Sequence, residues 1–308
     1  MKSFGLICKA ALFILLVAVA LFLFLTYKTM YKQNHVIPIL EYHNLTTEPS
    51  SVTPWTISVN DFNDQMFYLS RNCHVVPLKT VLESIRQGKS IPEHTVAVTF
   101  DDGYKSNYLL AYPILEKYRI PATIFIIGKY IDNDKVGGYP ALTWSDLKTM
   151  VSSGLVDIES HTYDLHHKIP DNKGNWEPAV LARIATDKGT ETQEEYDQRI
   201  ESDLVQSRQV IKEKLGIDPD ILCWPNGAYD NHTNTLAKKA GFVYMIGQLT
   251  YSNPQTNIEN IGRVIVSGRM GIKEYEKLVY LRKATYFQAM GLELERIKYH
   301  LINVFKRG

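Results

Sequence analysis

The sequence predicts an α/β domain of alternating strands and helices, arranged as a barrel or an open sheet of βα units. Short apolar runs, typical of buried strands, alternate along the chain with longer segments of amphipathic helical character. Acidic or histidine residues lie within two positions after two of the strand-like runs, residues 96–100 and 155–159. Because βα barrels carry their sites at the C-terminal ends of the strands, we expect both clusters there.

In the first half of the chain, the strand-like runs are apolar and the helical segments start near capping residues. Ser58 or Asn60 can cap a helix that begins near Asp61. The predicted strands are residues 36–43, 75–78, 96–100 and 121–127, and the predicted helices are residues 61–72, 78–87 and 108–117.

In the second half, Thr143 can cap a helix, and a turn-rich stretch from Lys168 leads into a long polar helix that ends before Gly216. This insert is either a wall of the cleft or a surface segment packed by its own helix. The predicted strands are residues 155–159, 221–223 and 242–245, and the predicted helices are residues 144–153, 193–215 and 275–306.

Two adjacent carboxylates, Asp101 and Asp102, are the most informative residues, and they precede Gly103. Side chains alternate between faces along a strand, so both aspartates reach one site only if the chain turns, which glycine makes easy. Two like charges shift each other's titration, whereas a bound metal ion lets both stay ionised. The pair therefore predicts further metal ligands elsewhere in the chain.

A histidine cluster supplies such ligands: His161, His166 and His167 fall within seven residues. Imidazole is the commonest nitrogen ligand of Zn²⁺, and together with a carboxylate it leaves an open position for water, as in catalytic zinc sites. The same donors suit Co²⁺ or Ni²⁺. We interpret His167 as a competing ligand whose simpler role is to pack or to hydrogen-bond beside the site.

Together these residues resemble the polysaccharide deacetylase family, the family 4 carbohydrate esterases, whose first two motifs are T-F-D-D-G and H-[ST]-x(2,3)-H. The first motif stands at Thr99–Gly103 and the second at His161–His166. The resemblance covers roughly residues 36–270. It implies the distorted (β/α) barrel of that family and a metal-dependent deacetylase of an N-acetylated polysaccharide.

The resemblance also implies separate roles for the two aspartates. Asp101 corresponds to the general base that activates water, while Asp102, His161 and His166 correspond to the ligands of a divalent metal, Zn²⁺ or alternatively Co²⁺ or Ni²⁺. The interval from His161 to His166 matches the variant found in deacetylases of poly-β-1,6-N-acetylglucosamine.

Two later family motifs are incomplete in this chain. After Pro225, Asn226 stands where the family has an aromatic residue, and its backbone N–H would inherit the contact with the oxyanion. The histidine that would protonate the leaving amine is missing beside Arg263. The proton donor is therefore His166, His43 or a water, and Arg263 either orients a carboxylate or forms a surface salt bridge.

The N-terminus carries an apolar stretch, Ala10–Tyr27, that is flanked by lysines and long enough to span a bilayer. A cleaved secretory signal is the alternative, because residues 18–20 resemble a cleavage site, but a further apolar run follows at residues 21–25. We therefore predict an uncleaved signal anchor, with a catalytic domain on the extracytoplasmic side, where a glycan substrate is found.

Composition is consistent with one enzyme domain on such an anchor. The net charge is +1 at pH 7, without a long charged block, so we expect no nucleic-acid partner, and nothing indicates a protein partner. Of three cysteines, only Cys73 and Cys223 lie away from the apolar stretch and are a possible pair.

The predicted segments are a cytoplasmic N-terminus over 1–9, a transmembrane anchor over 10–27, a linker over 28–35, a catalytic domain over 36–271 and a helical extension over 272–308.

The predicted function is the metal-dependent removal of acetyl groups from N-acetylglucosamine units of an extracellular or cell-wall polysaccharide. Poly-β-1,6-N-acetylglucosamine is the first candidate, and peptidoglycan or chitin-like chains are the second. The same ligands would also permit another acyl amide or an ester as substrate. A non-enzymatic alternative is a glycan-binding domain with little turnover, because the chain lacks the arginine that begins the family's third motif, R-x-x-P-[YFW], and the histidine of its last motif.

Overall fold

The computed structural model describes residues 16–27, 37–89, 91–133, 135–171, 174–186, 189–247, 258–259 and 261–280. The chain divides into two compact units. One unit is Ile37–Val279, and it contains every element discussed below except one helix. That helix, residues 16–27, belongs to the unit formed by Met1–Val36 and Tyr280–Gly308.

Short strands alternate with longer helices along the chain. In chain order, the strands are β1 (Ile39–Tyr42), β2 (Asn44–Thr46), β3 (Thr56–Ser58), β4 (His74–Val75), β5 (Thr95–Phe100), β6 (Ala122–Ile126), β7 (Lys135–Val136), β8 (Tyr139–Pro140), β9 (Val156–Ser160), β10 (Lys168–Pro170), β11 (Trp176–Pro178), β12 (Ala185–Thr186), β13 (Gly189–Thr190), β14 (Ile221–Cys223), β15 (Tyr244–Ile246) and β16 (Val264–Ile265). The helices are α1 (residues 16–27), α2 (Val59–Asn72), α3 (Leu78–Arg86), α4 (Tyr112–Tyr118), α5 (Trp144–Ser152), α6 (Gln193–Leu215), α7 (Asn231–Lys239) and α8 (Ile272–Tyr280).

The main sheet has eight strands in the order β15-β14-β9-β6-β5-β1-β16, with β4 paired to β5, and all its pairings are parallel. Strands β5 and β6 are buried along their whole length, which explains why they appear in the sequence as continuous apolar runs. The predicted α/β class is confirmed, and the sheet is a parallel half-barrel. Its end strand β15 meets the segment before β16 at one isolated bridge, Ile246–Ile261.

The two faces of the sheet pack into different parts of the core. Leu40 and Val98 belong to a cluster with residues of α2, α4 and α5. Their sequence neighbours Ile39 and Ala97 point to the opposite face, which we call the inner face, and pack with Leu78 of α3. This alternation decides which side chains at the strand ends can share a site.

The insert between β9 and β14 consists of two short antiparallel hairpins, β10–β11 and β12–β13, followed by α6. Helix α6 has the bounds predicted from the sequence. It begins at a capping box between Thr192 and Glu195, and it ends at Gly216, whose φ of 72° suits a residue without a side chain.

Two elements differ from the prediction because of prolines. Strand β4 stops at Val75, since Pro77 lacks an N–H for the ladder and instead precedes α3. The helix predicted over 108–117 begins with a π-helical turn, Asn107–Ala111, before α4. Pro113 near the start of α4 cannot donate to the carbonyl one turn earlier, which favours the wider turn.

The predicted transmembrane segment, residues 10–27, lies partly outside the described residues. Within the part that the structure describes, no helix combines the length and the apolar character needed to cross a bilayer. Residues 281–306 of the predicted C-terminal helix also lie outside the described residues, and α8 is the part that is described. Cys73 and Cys223 are not joined in a disulfide.

Candidate metal and catalytic site

The C-terminal ends of β1, β5, β9 and β14 meet around one cavity of about 370 Å³. All seven site residues named from the sequence line this cavity, and so do several that sequence reasoning did not single out. The predicted residues are His43, Asp101, Asp102, His161, His166, Asn226 and Arg263, and the additional ones include Glu41, Trp55, Tyr104 and Tyr139.

The chain turns after β5 so that both carboxylates enter the cavity. The Asp101 N–H donates to the Tyr42 carbonyl, which continues the ladder between β5 and β1 by one residue. Asp102 then has a φ of 71° and Gly103 a φ of 80°. A left-handed aspartate is uncommon, and such strained residues concentrate at functional sites.

Three side chains converge on a metal-sized gap. Asp102 Oδ1 lies 3.2 Å from His166 Nε2 and 3.5 Å from His161 Nε2. Two tetrahedral zinc ligands at about 2.0–2.1 Å from the ion are about 3.3 Å apart. The ligand atoms of Asp102, His161 and His166 therefore have spacings that fit one divalent cation.

The protonation of His161 supports the same conclusion. His161 Nδ1 lies 2.8 Å from the Cys223 carbonyl oxygen, which can only accept, so Nδ1 carries the hydrogen. Burial lowers the pKa of His161 to about 4, so the ring is neutral and Nε2 presents a lone pair to Asp102. Asp102 Oδ1 is buried, with the Nε2 atoms of His161 and His166 beside it. Two acceptors facing each other in this way fit a cation between them.

Asp102 is ionised, and its carboxylate changes the pKa of His166. Burial opposes ionisation of Asp102, but the neighbouring imidazoles hold the pKa of this carboxyl well below its usual range. Burial also opposes protonation of His166, and the Asp102 carboxylate more than offsets this and raises the pKa of His166. A divalent cation bound by these ligands would therefore displace the proton that the Asp102 carboxylate favours on His166.

Asp101 has a different partner, Arg263. The Arg263 Nη1 and Nη2 atoms donate to the two Asp101 oxygens at 2.6 and 2.5 Å, and both side chains are buried. Burial would raise the pKa of Asp101, but the guanidinium more than offsets this effect and lowers it. The interpretation of Arg263 as a surface salt bridge is therefore wrong.

The guanidinium also argues against a second metal ion at Asp101. Donor atoms of Asp101 come close to those of His161 and Cys223, and to those of Glu41 and His43. However, Arg263 occupies both Asp101 oxygens, and a cation there would face a fixed positive charge. Burial raises the pKa of Cys223 well above its ordinary value, so this residue is present as a thiol.

His43 lies at the mouth of the site and is 14% exposed. Its Nε2 is 3.8 Å from Glu41 Oε1 and 4.0 Å from Asp101 Oδ2, and its ring packs against Trp55 with centroids 4.9 Å apart. Glu41 itself, which is also 3.3 Å from Arg263 Nη2, was not singled out from the sequence. The sequence did carry a signal for Glu41, because a charged residue inside the apolar run of β1 is unusual unless it serves a site.

The loop after β14 brings Asn226 to the cavity with a left-handed φ of 55°. Its neighbour Trp224 is buried and donates its indole N–H to Asn234 Oδ1 at 2.8 Å, so the indole holds the loop in place. Tyr104, just after the first motif, also lines the cavity. Burial and the charge of Asp102 raise the pKa of its phenol, which stays protonated.

His167 and Trp176 do not line the cavity described above. The His167 side chain is 48% exposed, and its Nδ1 lies 3.9 Å from Asp164 Oδ1. Trp176 is 67% exposed on β11. Neither residue takes part in the converging set of ligands.

The chain matches the family model described as polysaccharide deacetylase over residues 88–245, just over half its length. It is 25% identical over 273 residues to the poly-beta-1,6-N-acetyl-D-glucosamine N-deacetylase of Escherichia coli (strain K12). That match covers 84% of this chain but 41% of the relative, so the chain spans less than half of the length of this relative.

Two further comparisons align most of this chain with most of the other protein. The chain is 27% identical over 254 residues to the protein of the same name from Staphylococcus aureus (strain N315), covering 78% of this chain and 81% of the relative. A solved de-N-acetylase from Aggregatibacter actinomycetemcomitans superimposes with a TM-score of 0.70 at 27% identity, covering 79% of this chain and 99% of that one.

Proposed function

The chain belongs to the polysaccharide deacetylase family, and from this premise we propose that it hydrolyses the acetamide of N-acetylglucosamine units in an extracellular or cell-wall polysaccharide. The observation that carries the proposal is the lone pair of His161 facing the Asp102 carboxylate, with His166 beside them and a separate, ionised Asp101 in the same cavity. This arrangement separates the metal ligands from the base.

Asp102, His161 and His166 would hold the divalent metal. A metal bound there lowers the pKa of water and polarises the acetamide carbonyl. Burial keeps His161 neutral, and its hydrogen bond to the Cys223 carbonyl fixes the tautomer and orients the ring, as a metal-binding imidazole requires.

Asp101 accepts the proton of the attacking water in this proposal. Its carboxylate is ionised and its orientation is fixed by the two Arg263 hydrogen bonds. Water adds to the acetamide carbon, the carbon–nitrogen bond breaks, and acetate and a free amine leave. The Asn226 N–H is the proposed backbone donor to the oxyanion, since this residue lines the cavity.

His43 is the proposed donor of the proton that the leaving amine takes. It lines the cavity on the Asp101 side, with its Nε2 3.8 Å from Glu41 Oε1 and 4.0 Å from Asp101 Oδ2. His166 is the weaker candidate, because its Nε2 points at Asp102 among the proposed metal ligands.

Poly-β-1,6-N-acetylglucosamine is the proposed substrate. The relatives from E. coli and S. aureus carry the name of that activity, and the interval between the two histidines fits the same group. Trp55 and Tyr139 line the cavity and remain about half exposed, so both present aromatic surface on which sugar rings can stack.

We further propose that residues 10–27 anchor the chain in a membrane and that the catalytic unit lies on the extracytoplasmic side. The support is the apolar stretch in the sequence and the location of the proposed substrate.

Acetate release tests the proposed function. The purified chain, loaded with Zn²⁺, Co²⁺ or Ni²⁺, is incubated with oligomers of β-1,6-N-acetylglucosamine, chitin oligomers, peptidoglycan and an acetylated xylan. We expect acetate chiefly from the β-1,6 oligomers. Metal binding without acetate from any of these substrates would overturn the assignment as an enzyme, and preference for another glycan would overturn the choice of substrate.

A further inference from the structure

The loop that carries both histidines is held by a carboxylate from a distant helix. Asp203 on α6 accepts hydrogen bonds from two consecutive backbone N–H groups, that of Tyr163 at 2.9 Å and that of Asp164 at 2.8 Å, one on each oxygen. These groups lie midway between His161 and His166. A single side chain therefore fixes the backbone that sets the separation of the two imidazoles.

The carbonyl groups of the same loop are fixed from another element. The Gly128 and Lys129 N–H groups donate to the carbonyl oxygens of Thr162 and Tyr163 at 3.1 and 3.0 Å. The segment after β6 thus holds the carbonyls, and Asp203 holds the N–H groups. The loop needs both supports, because Thr162 has a strained left-handed φ of 71°.

A second contact from α6 reaches the base of the loop. Ser207 lies one helical turn after Asp203, on the same face of α6, and its hydroxyl is 2.9 Å from that of Ser160 at the end of β9. Ser160 Oγ in turn accepts from the Thr162 N–H at 3.1 Å. Both serines are fully buried. This face of α6 therefore contacts the chain at the start of the loop, through Ser207, as well as at its middle, through Asp203.

Side-chain packing is incomplete next to Asp203. A cavity of about 370 Å³ is lined by Tyr163, His167, Asp203 and Gln206, among others. A loop that borders a cavity has fewer van der Waals contacts to hold it, so its hydrogen bonds carry more of the positioning.

We propose that Asp203 is a positioning residue for the metal site, holding the 161–166 loop so that the His161 and His166 imidazoles meet Asp102 at metal-ligand spacing. The inference rests on the proposed function insofar as it takes these three residues as metal ligands. It gives the insert a role, since α6 supports the histidine loop while Asp203 itself does not line the cavity of the site.

The test compares metal binding by Asp203→Asn and by the wild-type full chain, using Zn²⁺ in competition with a chromophoric chelator and the visible absorption spectrum of the Co²⁺ form. An asparagine retains one acceptor but turns an N–H₂ toward the second backbone N–H. We expect about 10–100-fold weaker Zn²⁺ binding and an altered Co²⁺ spectrum, as for other groups that orient ligands. Glu201→Gln removes a carboxylate from the same helix without a bond to the loop, and we expect wild-type values.

Asp203→Glu is the second variant, in case the asparagine variant does not fold. Its carboxylate is displaced by one methylene, and we expect a smaller loss of Zn²⁺ affinity together with a shifted Co²⁺ spectrum. Wild-type affinity and spectrum in the folded variants would overturn the inference, even if they melt at lower temperature. Wild-type chain that binds metal but releases no acetate would overturn the proposed enzyme and leave this inference intact.

Discussion

At the scale of single residues, two adjacent aspartates have different environments. The Asp101 backbone continues the pairing of β5 with β1, and its side chain accepts hydrogen bonds from the Nη1 and Nη2 atoms of Arg263. Asp102, one residue later, has turned to a left-handed φ and faces the histidines. The turn between them gives the proposed base and the proposed ligand separate positions in the cavity.

We expect Asp101→Asn to retain metal and to lose turnover, because the amide cannot accept the proton from water. A loss of about 10²–10⁴-fold in kcat is typical for a general base. His161→Ala is expected to lose the metal itself. Metal content by elemental analysis and acetate release separate the two effects, and equal metal loss in both variants would contradict the assigned roles.

We expect Arg263→Lys to lower kcat by about 100-fold with little change in metal content, because a lysine cannot make the paired hydrogen bonds that orient Asp101. Steady-state kinetics and metal analysis measure this. Arg269→Lys, at an exposed arginine nearby in the sequence, is the matched control and should behave as wild type. A wild-type kcat in Arg263→Lys would show that the orientation of Asp101 does not depend on this pair.

Glu159 gives a prediction for stability. Burial raises the pKa of this carboxyl from 4.5 to about 8, although it accepts a hydrogen bond from the Ile221 N–H. The folded protein therefore binds this proton more tightly than the unfolded chain. The resulting stabilisation is fully present below about pH 4.5 and is lost as the pH rises to about 8, at ~1.4 kcal/mol for each tenfold difference in proton affinity.

Glu159→Gln should remove this dependence, because glutamine stays neutral and can still accept from Ile221. Denaturant unfolding of both proteins without metal, between pH 5 and pH 8, measures the difference in the free energy of unfolding. We expect the variant to gain stability relative to wild type as the pH rises, by a few kcal/mol in total. A difference that is constant with pH would contradict the raised pKa.

At the scale of elements, each of three loops that reach the site contains one non-glycine residue with left-handed φ: Asp102, Thr162 and Asn226. All three follow strands of the parallel sheet, β5, β9 and β14. Regular strands determine where each loop begins, and a single strained residue turns the chain so that polar side chains face the cavity.

Helix α5 shows how a cap seen in the sequence acts in the fold. Thr143 Oγ1 accepts from the Asp146 N–H at 3.2 Å, and Asp146 Oδ2 accepts from the Thr143 N–H at 2.8 Å. We expect Thr143→Ala to lower the free energy of unfolding by about 1 kcal/mol, since both bonds at the start of the helix are weakened. Thr143→Ser keeps the hydroxyl and should lose little. Denaturant unfolding that gives equal losses for both would indicate a packing effect instead.

Element prediction succeeded where the local signals were strong. The capping residues and the final glycine of α6 predicted its observed bounds. The apolar run of β14 likewise predicted the bounds of that strand. It failed where one proline changed hydrogen bonding, at Pro77 and Pro113, and it missed the hairpins within the insert. Hairpins of two or three residues per strand depend on partners in space and carry too few residues for a periodic pattern.

At the scale of the whole molecule, the unit Ile37–Val279 contains every residue of the site. We expect the segment from residue 35 onward to be found in the soluble fraction with acetate-releasing activity, and the full chain to sediment with membranes, because residues 10–27 are apolar enough to partition into a bilayer. Fractionation of cells that express each form measures this. Full-length chain in the soluble fraction would contradict the anchor.

The sequence by itself determined the α/β class and the two motifs and, through the family resemblance, named seven of the residues that line the cavity, because strand periodicity and motif residues are local properties of the chain. Tertiary structure alone decided which groups meet. It placed Arg263 on Asp101 from 162 positions away, brought Glu41 within 3.3 Å of the same guanidinium, and set Asp203 of the insert against the histidine loop. Such contacts depend on sheet order and on loop turns at left-handed residues, and no spacing along the chain encodes them.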